Sequence, residues 1–189
     1  MAEPTDRELV ECAQDELPYR YSSYTLLMQR YESRILRSCY RMLQNRNDAE
    51  DAYQDVLIRV FHGLKTFRRE ASFATWLFRV CHNVCINALR DRTRRGMAGA
   101  VEYDPNSSVQ PVWDATETEI DIERSFAQLS FIDREILVLR FSGNLTLDEI
   151  SQILGIKLSA AKMRLYRAKE KFMSYYESRE TEQNPESGE

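Results

Sequence analysis

The sequence has no apolar run long enough to cross a bilayer, and its first residues, MAEPTDRELVECAQDE, are acidic where a secretory leader opens basic and then apolar. No membrane insertion and a cytoplasmic location are therefore expected. Alternating Val, Ile and Thr strand patterns are missing, which argues against a sheet. The four cysteines, Cys12, Cys39, Cys81 and Cys85, show no framework spacing and read as small buried apolar residues rather than as disulfides. There are only two histidines. His62 stands alone. His82 lies between Cys81 and Cys85, but on a helix it projects roughly 100° away from Cys81, and no second ligand pair is in sight, so no metal site and no cofactor are expected. A cysteine or serine hydrolase lacks its base and orienting group, and no glycine-rich phosphate loop is present. The chain reads as a protein without catalysis of its own.

What is present is charge arranged in blocks, hidden beneath a formal net charge of −4 over 189 residues. Between positions 68 and 95, Arg68, Arg69, Arg79, Arg90, Arg92, Arg94 and Arg95 face only Glu70 and Asp91. From Lys157 to Lys171, six cations face only Glu170. Between these stretches Glu102, Asp104, Asp114, Glu117, Glu119, Asp121 and Glu123 form a run without Lys or Arg. Two basic stretches in an acidic chain are two candidate nucleic-acid faces.

Nearly everything outside residues 96–118 alternates apolar and polar at helical spacing, which predicts an all-α chain. GMAGAVEYDPNSSVQPVW gathers Gly, Pro, Ser and Asn without a helical stripe. The expected organisation is an acidic N-terminal segment (1–19), a helical domain (20–95), a flexible acidic linker (96–119), a second helical domain (120–176) and a disordered acidic tail (177–189).

Three constellations carry the functional signal. In NDAEDAYQDVLIRVFHGL, Asp48 is placed to cap a helix whose Ala52, Tyr53, Val56, Leu57, Val60, Phe61 and Leu64 form one apolar face. The opposite face presents Glu50, Asp51, Gln54 and Asp55. Asp51 and Asp55, at i and i+4, repel by roughly 0.2–0.5 kcal/mol in an isolated helix, a cost that a basic partner would convert into affinity. A merely solvated face is the competing reading.

The second is SFATWLFRVCHNVCINALRDRTRR. Phe73, Leu77, Val80, Cys81, Val84, Cys85 and Ala88 fall on one side of a helix and suit a core. Trp76, Arg79, Asn83, Asn87 and Arg90 recur on the other side, continued by further arginines. Arginines hold phosphates, an indole stacks on a base, and an amide pairs with the edge of an unstacked base, a combination suited to DNA whose strands are separating. The bland reading makes Trp76 a core residue and Asn83 a surface amide.

The third is LTLDEISQILGIKLSAAKMRLYRAKEKF. Thr146 and Glu149 form a T-x-x-E capping box, Ile150, Ile153 and Leu154 line a short helix, and Gly155 suits the left-handed turn that ends it. In a second helix starting near Ser159, Ala161, Leu165, Ala168 and Phe172 pack inward. Lys162, Met163, Tyr166 and Arg167 share the outer face, flanked by Arg164 and Lys169. This is a helix-turn-helix with a basic second helix, the arrangement that enters a major groove; an ordinary αα-hairpin is the alternative.

These three segments, in this order, resemble the extracytoplasmic-function (ECF) sigma factors, two-domain specificity subunits of bacterial RNA polymerase. DAEDAYQDVLIRVF, FATWLFRVCHNVCINALRDRTRR and LSFIDREILVLRF with the helix-turn-helix after it carry the resemblance, over about residues 20–176. It implies that 20–95 is the second sigma domain and 120–176 the fourth. The expected partners are core RNA polymerase, through its β′ clamp and β subunit, and promoter DNA, with an anti-sigma factor as a further partner the family allows for. Asp48, Glu50, Asp51, Gln54 and Asp55 would then dock on the polymerase. Arg68, Arg69, Trp76, Arg79, Asn83, Asn87 and Arg90 would open and hold the −10 element. Lys162, Met163, Arg164, Tyr166, Arg167 and Lys169 would read the −35 element, with Arg164 and Lys169 mainly on phosphates. Trp76 is followed by Leu77 where primary sigma factors pair two tryptophans, which implies stricter promoter choice. A stand-alone helix-turn-helix regulator, using only the C-terminal half and needing no polymerase, is the alternative function.

Overall fold

The computed structural model describes residues 3–96 and 114–183, with side chains through 178; most of the expected linker, 97–113, lies outside the described residues. The chain runs α1 (Asp6–Glu16), α2 (Ser22–Gln29), α3 (Glu32–Leu43), α4 (Arg46–Leu64) and α5 (Phe73–Arg94). It resumes with α6 (Glu117–Gln128), α7 (Phe131–Leu137), a π-helical turn (Val138–Ser142), α8 (Leu147–Leu154) and α9 (Leu158–Gln183). Among the described residues there is no strand, so the all-α expectation holds.

Six of the helices, α1 and α4 to α8, start where short polar side chains relieve the unpaired N–H groups of the first turn, whereas α2 and α3 begin without a side-chain cap. Capping boxes open α1 (Thr5 with Glu8), α6 (Thr116 with Glu119) and α8 (Thr146 with Glu149). Ser72 and Ser130 cap α5 and α7. Asp48, expected to cap α4, instead sits in its first turn, and Asn45 is the cap: its side-chain oxygen accepts from the Asp48 N–H at 3.0 Å. The left-handed Gln44 (φ 52°) turns the chain so that Asn45 is extended (φ −145°), and helical geometry has begun by Arg46. At the other end α9 runs on to Gln183, past the boundary expected at 176, because ESRETEQ consists largely of good helix formers.

α1 belongs to the N-terminal core: Leu9, Val10 and Ala13 are buried, and the Gln14 amide donates to the carbonyls of Leu64 and Phe67, both at 2.9 Å, closing the end of α4. α3 is the central element. It packs against α4 and α5 on one side and meets α6, α7 and the π-helical turn on the other. Leu27, Ile35, Met42, Leu64, Leu77 and Phe78 fill the N-terminal half, and Ile136, Leu137, Leu139, Leu145 and Ile150 the C-terminal half. The junction between the halves is polar. Arg34, Arg37 and Arg41, spaced along one face of α3, reach respectively the carbonyls of Ser142 and Gly143 (2.8 Å each), Glu119 (2.7 Å) and Glu123 (2.7 Å). The Arg41 guanidinium also lies 4.6 Å from the centre of the Phe126 ring.

Candidate nucleic-acid interface

α4 turns its acids outward in the pattern the sequence predicts. Asp51 and Gln54 are exposed, Asp48 and Asp55 half-buried. Arg92 of α5 lies 3.5 Å from Asp48, Arg46 3.1 Å from Glu50 and Arg59 2.9 Å from Asp55. Asp51 makes no ion pair among the described residues. Ile58, one turn past Gln54 and 57 % exposed, gives this face an apolar residue that the sequence reading passed over. Its signal was an isoleucine off the apolar stripe of the helix.

α5 separates its faces cleanly. Phe73, Leu77, Phe78, Cys81, Val84 and Cys85 are buried, while Arg79, Asn83, Asn87 and Arg90 are exposed along one side, as the spacing predicts. Trp76 stands between the two readings given above. It is half-buried, its indole stacks on Phe67 (ring centres 4.9 Å apart, planes at 29°), and its six-membered ring lies against Gly63. A ring anchored on one face and open elsewhere is a rigid platform rather than a mobile side chain. In the loop before α5, Arg68 is exposed, and Arg69 adopts a left-handed backbone (φ 61°) and pairs with Glu11 of α1.

A third side of α5 faces the C-terminal half. Thr75 donates its hydroxyl hydrogen bond to Glu149, and His82 Nε2 lies 2.6 Å from Glu135 Oε1. Glu135 also receives Arg164. Burial on its own would raise the Glu135 carboxyl, but the hydrogen bonds from His82 and Arg164 outweigh it and hold the group below the ordinary carboxylate value. His82 is thus turned away from the cysteines, as expected.

α8 and α9 form the helix-turn-helix. Gly155 closes α8 with φ 64°, the left-handed conformation that favours glycine. Ala161 and Ala168 are fully buried, so α9 lies close on its support, and Leu165 and Phe172 are half-buried beside them. Lys162, Met163, Tyr166, Arg167 and Lys169 are all exposed, Met163 by 53 % and Tyr166 by 60 %. Arg164 is the departure. Its guanidinium turns inward to the Ile132 carbonyl (3.0 Å from Nε) and to Glu135. The reason is its position at the edge of the helix, within reach of a buried carboxylate, where a charge-assisted bond is stronger than hydration.

Exposed cations and amides beside the half-buried Trp76 on α5, together with a helix-turn-helix whose outer helix is basic, define a helical DNA-binding protein. The Sigma-70 region 2 family matches residues 27–95 and the Sigma-70, region 4 family residues 119–172. The chain is 30% identical over 152 residues to the ECF RNA polymerase sigma factor SigW of Bacillus subtilis, covering 74% of this chain and 81% of that one. It is 28% identical over 179 residues to the ECF RNA polymerase sigma-E factor of Haemophilus influenzae, covering 88% and 92%. In fold it is similar to the sigma factor RpoE in its complex with the anti-sigma factor NepR from Bartonella quintana (TM-score 0.69, 18% identity, 82% of this chain and 96% of that one). CnrH in complex with the cytosolic domain of CnrY is a second such structure (TM-score 0.65, 20% identity, 92% and 97%). The chain belongs to the extracytoplasmic-function group of the sigma-70 family of RNA polymerase sigma factors.

Proposed function

We propose that this protein directs core RNA polymerase to a set of promoters and opens their −10 region, acting in the cytoplasm as a binding subunit without catalysis of its own. The observation that carries the reading is the pairing of two different DNA-handling surfaces in one chain. One is the exposed Arg79, Asn83, Asn87 and Arg90 stripe beside the anchored Trp76; the other is the exposed face of α9. The first suits unstacked bases and single-strand phosphates, the second a duplex major groove. Among the described residues no helix is long and apolar enough to cross a membrane. A stand-alone helix-turn-helix regulator leaves α4 and α5 without a role, whereas the match over residues 27–95 covers both.

In this reading Asp51, Asp55 and Gln54, supported by Asp48 and Glu50, dock on a basic surface of the β′ clamp, with Ile58 as the apolar contact. Trp76 offers a fixed stacking surface at the −10 element, Asn83 and Asn87 take base edges, and Arg68, Arg69, Arg79 and Arg90 hold phosphates. Lys162, Met163, Tyr166 and Arg167 face the −35 groove, with Lys169 at its edge. The similar sigma factor RpoE, solved with the anti-sigma factor NepR, supports a regulatory protein partner of the same kind.

The test is a competition for core polymerase by the double variant Asp51→Arg, Asp55→Arg. Loss of competition with unchanged circular dichroism is the expected result. A double variant that competes like the wild type removes α4 from the docking site.

A further inference from the structure

Cys39, Cys81 and Cys85 place their sulfur atoms within 4.8 Å of one another, with Cys39 and Cys81 Sγ 3.7 Å apart. Cys81 and Cys85 stand one turn apart on α5, and Cys39 comes from α3 where the two helices cross; all three are buried. Spacing along the chain shows only the pair on α5, so the third thiol is a product of the fold.

We propose that these three thiols form a site for one soft monovalent d10 cation, copper(I) in kind, held in trigonal sulfur coordination. An ion about 2.3 Å from each of three sulfurs in a plane sets them about 4 Å apart. The observed group meets that spacing with small side-chain rotations. Thiolate sulfur selects copper(I) and zinc over magnesium, calcium or manganese. Zinc in structural sites takes four ligands, and among the described residues no fourth cysteine, histidine or carboxylate joins the group. Cys12 is exposed and outside it, and His82 is engaged with Glu135.

The thiolate, not the thiol, is the ligand, so each sulfur that binds the ion releases its proton to solvent, and copper(I) enters with no electron transferred. Because α3 carries the arginines that meet the C-terminal half and His82 directly follows Cys81, an ion here would fix the two helices from which both contacts spring.

The experiment uses the full chain, reduced and refolded from denaturant with copper(I) supplied by a chromophoric chelator, so that access to the buried site does not limit loading. Bound copper is read by chelator competition and by sulfur-to-copper charge-transfer absorption. One equivalent per chain is expected. Cys81→Ala, Cys85→Ala and Cys39→Ala should each weaken binding at least tenfold, and Cys12→Ala should leave it unchanged. Circular dichroism identifies variants that fold, and three separate substitutions keep the comparison open if one does not. Substoichiometric binding by the wild type, undiminished binding in the folded core variants, or dependence on Cys12 overturns the proposal. So does formation of a Cys39–Cys81 disulfide, seen as a mass loss of two hydrogens without retained copper.

Discussion

Arg164 and Arg167 are three positions apart on α9 and carry the same charge, but their surroundings differ. Arg164 is half-buried with its guanidinium held by the Ile132 carbonyl and the Glu135 carboxylate, so it is already spent inside the protein. Arg167 is exposed and makes no ion pair among the described residues. Sequence spacing alone gives both to DNA, since it shows the face of a helix but not the carboxylate waiting at its edge. Arg167→Ala is expected to relax preference at one or two −35 positions, at about 1–3 kcal/mol for a bidentate base contact. Arg164→Ala should lower thermal stability and leave the salt dependence of promoter binding unchanged, because its cation is not available to release a phosphate counterion. Promoter-library transcription at two salt concentrations, beside thermal melts, separates them. A salt slope that falls by about one unit in Arg164→Ala would return that residue to the phosphate backbone.

Among the elements, the π-helical turn Val138–Ser142 does most to join the two halves. Its wider winding ends with the Ser142 and Gly143 carbonyls unclaimed by the helix, and Arg34 of α3 takes both, a cation where the helix dipole is negative. Gly143 is required there. A Cβ at that position would stand 2.5 Å from the Leu139 carbonyl oxygen, which is backbone and cannot swing aside. Gly143→Ala is therefore expected to destabilise by roughly 1–3 kcal/mol through the backbone shift it forces, measured by urea denaturation. A variant as stable as the wild type shows that the turn relaxes freely. None of this was legible in VLRFSGN, because an i→i+5 turn leaves no period in the sequence and its partner lies far away in the chain. By contrast, the helix-turn-helix was fully legible. The Thr146 and Glu149 box, the left-handed Gly155 and the alanine face of α9 are local devices, and local devices survive in the sequence. α1 was missed as part of the core for the opposite reason: its acidic first turn stands out, while the three buried residues that dock it are short.

At the scale of the whole molecule, the linker expectation of two independent helical domains meets a structure in which they touch through charge. Glu123 is fully buried, and its carboxyl is raised by that burial despite the opposing pull of Arg41. A group raised in the folded state contributes stability that is fully present below its unfolded value, near 4.5, and is lost as pH rises through the raised one. Glu135 behaves in the opposite sense: held low by His82 and Arg164, it contributes stability above its unfolded value that is lost as pH falls through the lowered one. The junction therefore contains one carboxylate that resists ionisation and one that depends on it, and at neutral pH Arg41 is what makes the first tolerable. Removing that cation leaves a buried negative charge with neither oxygen hydrogen-bonded, a loss of roughly 3–5 kcal/mol for a broken buried pair. Without Arg41 the Glu123 carboxyl rises further, so the penalty should grow as pH rises through the raised folded-state value and shrink where the carboxyl is protonated. Chemical denaturation of Arg41→Ala at pH 4.5 and pH 7 measures both ends. A larger deficit at pH 7 than at pH 4.5 is the expected result, and an equal deficit at both would mean that Arg41 acts through its packing on Phe126 rather than through its charge.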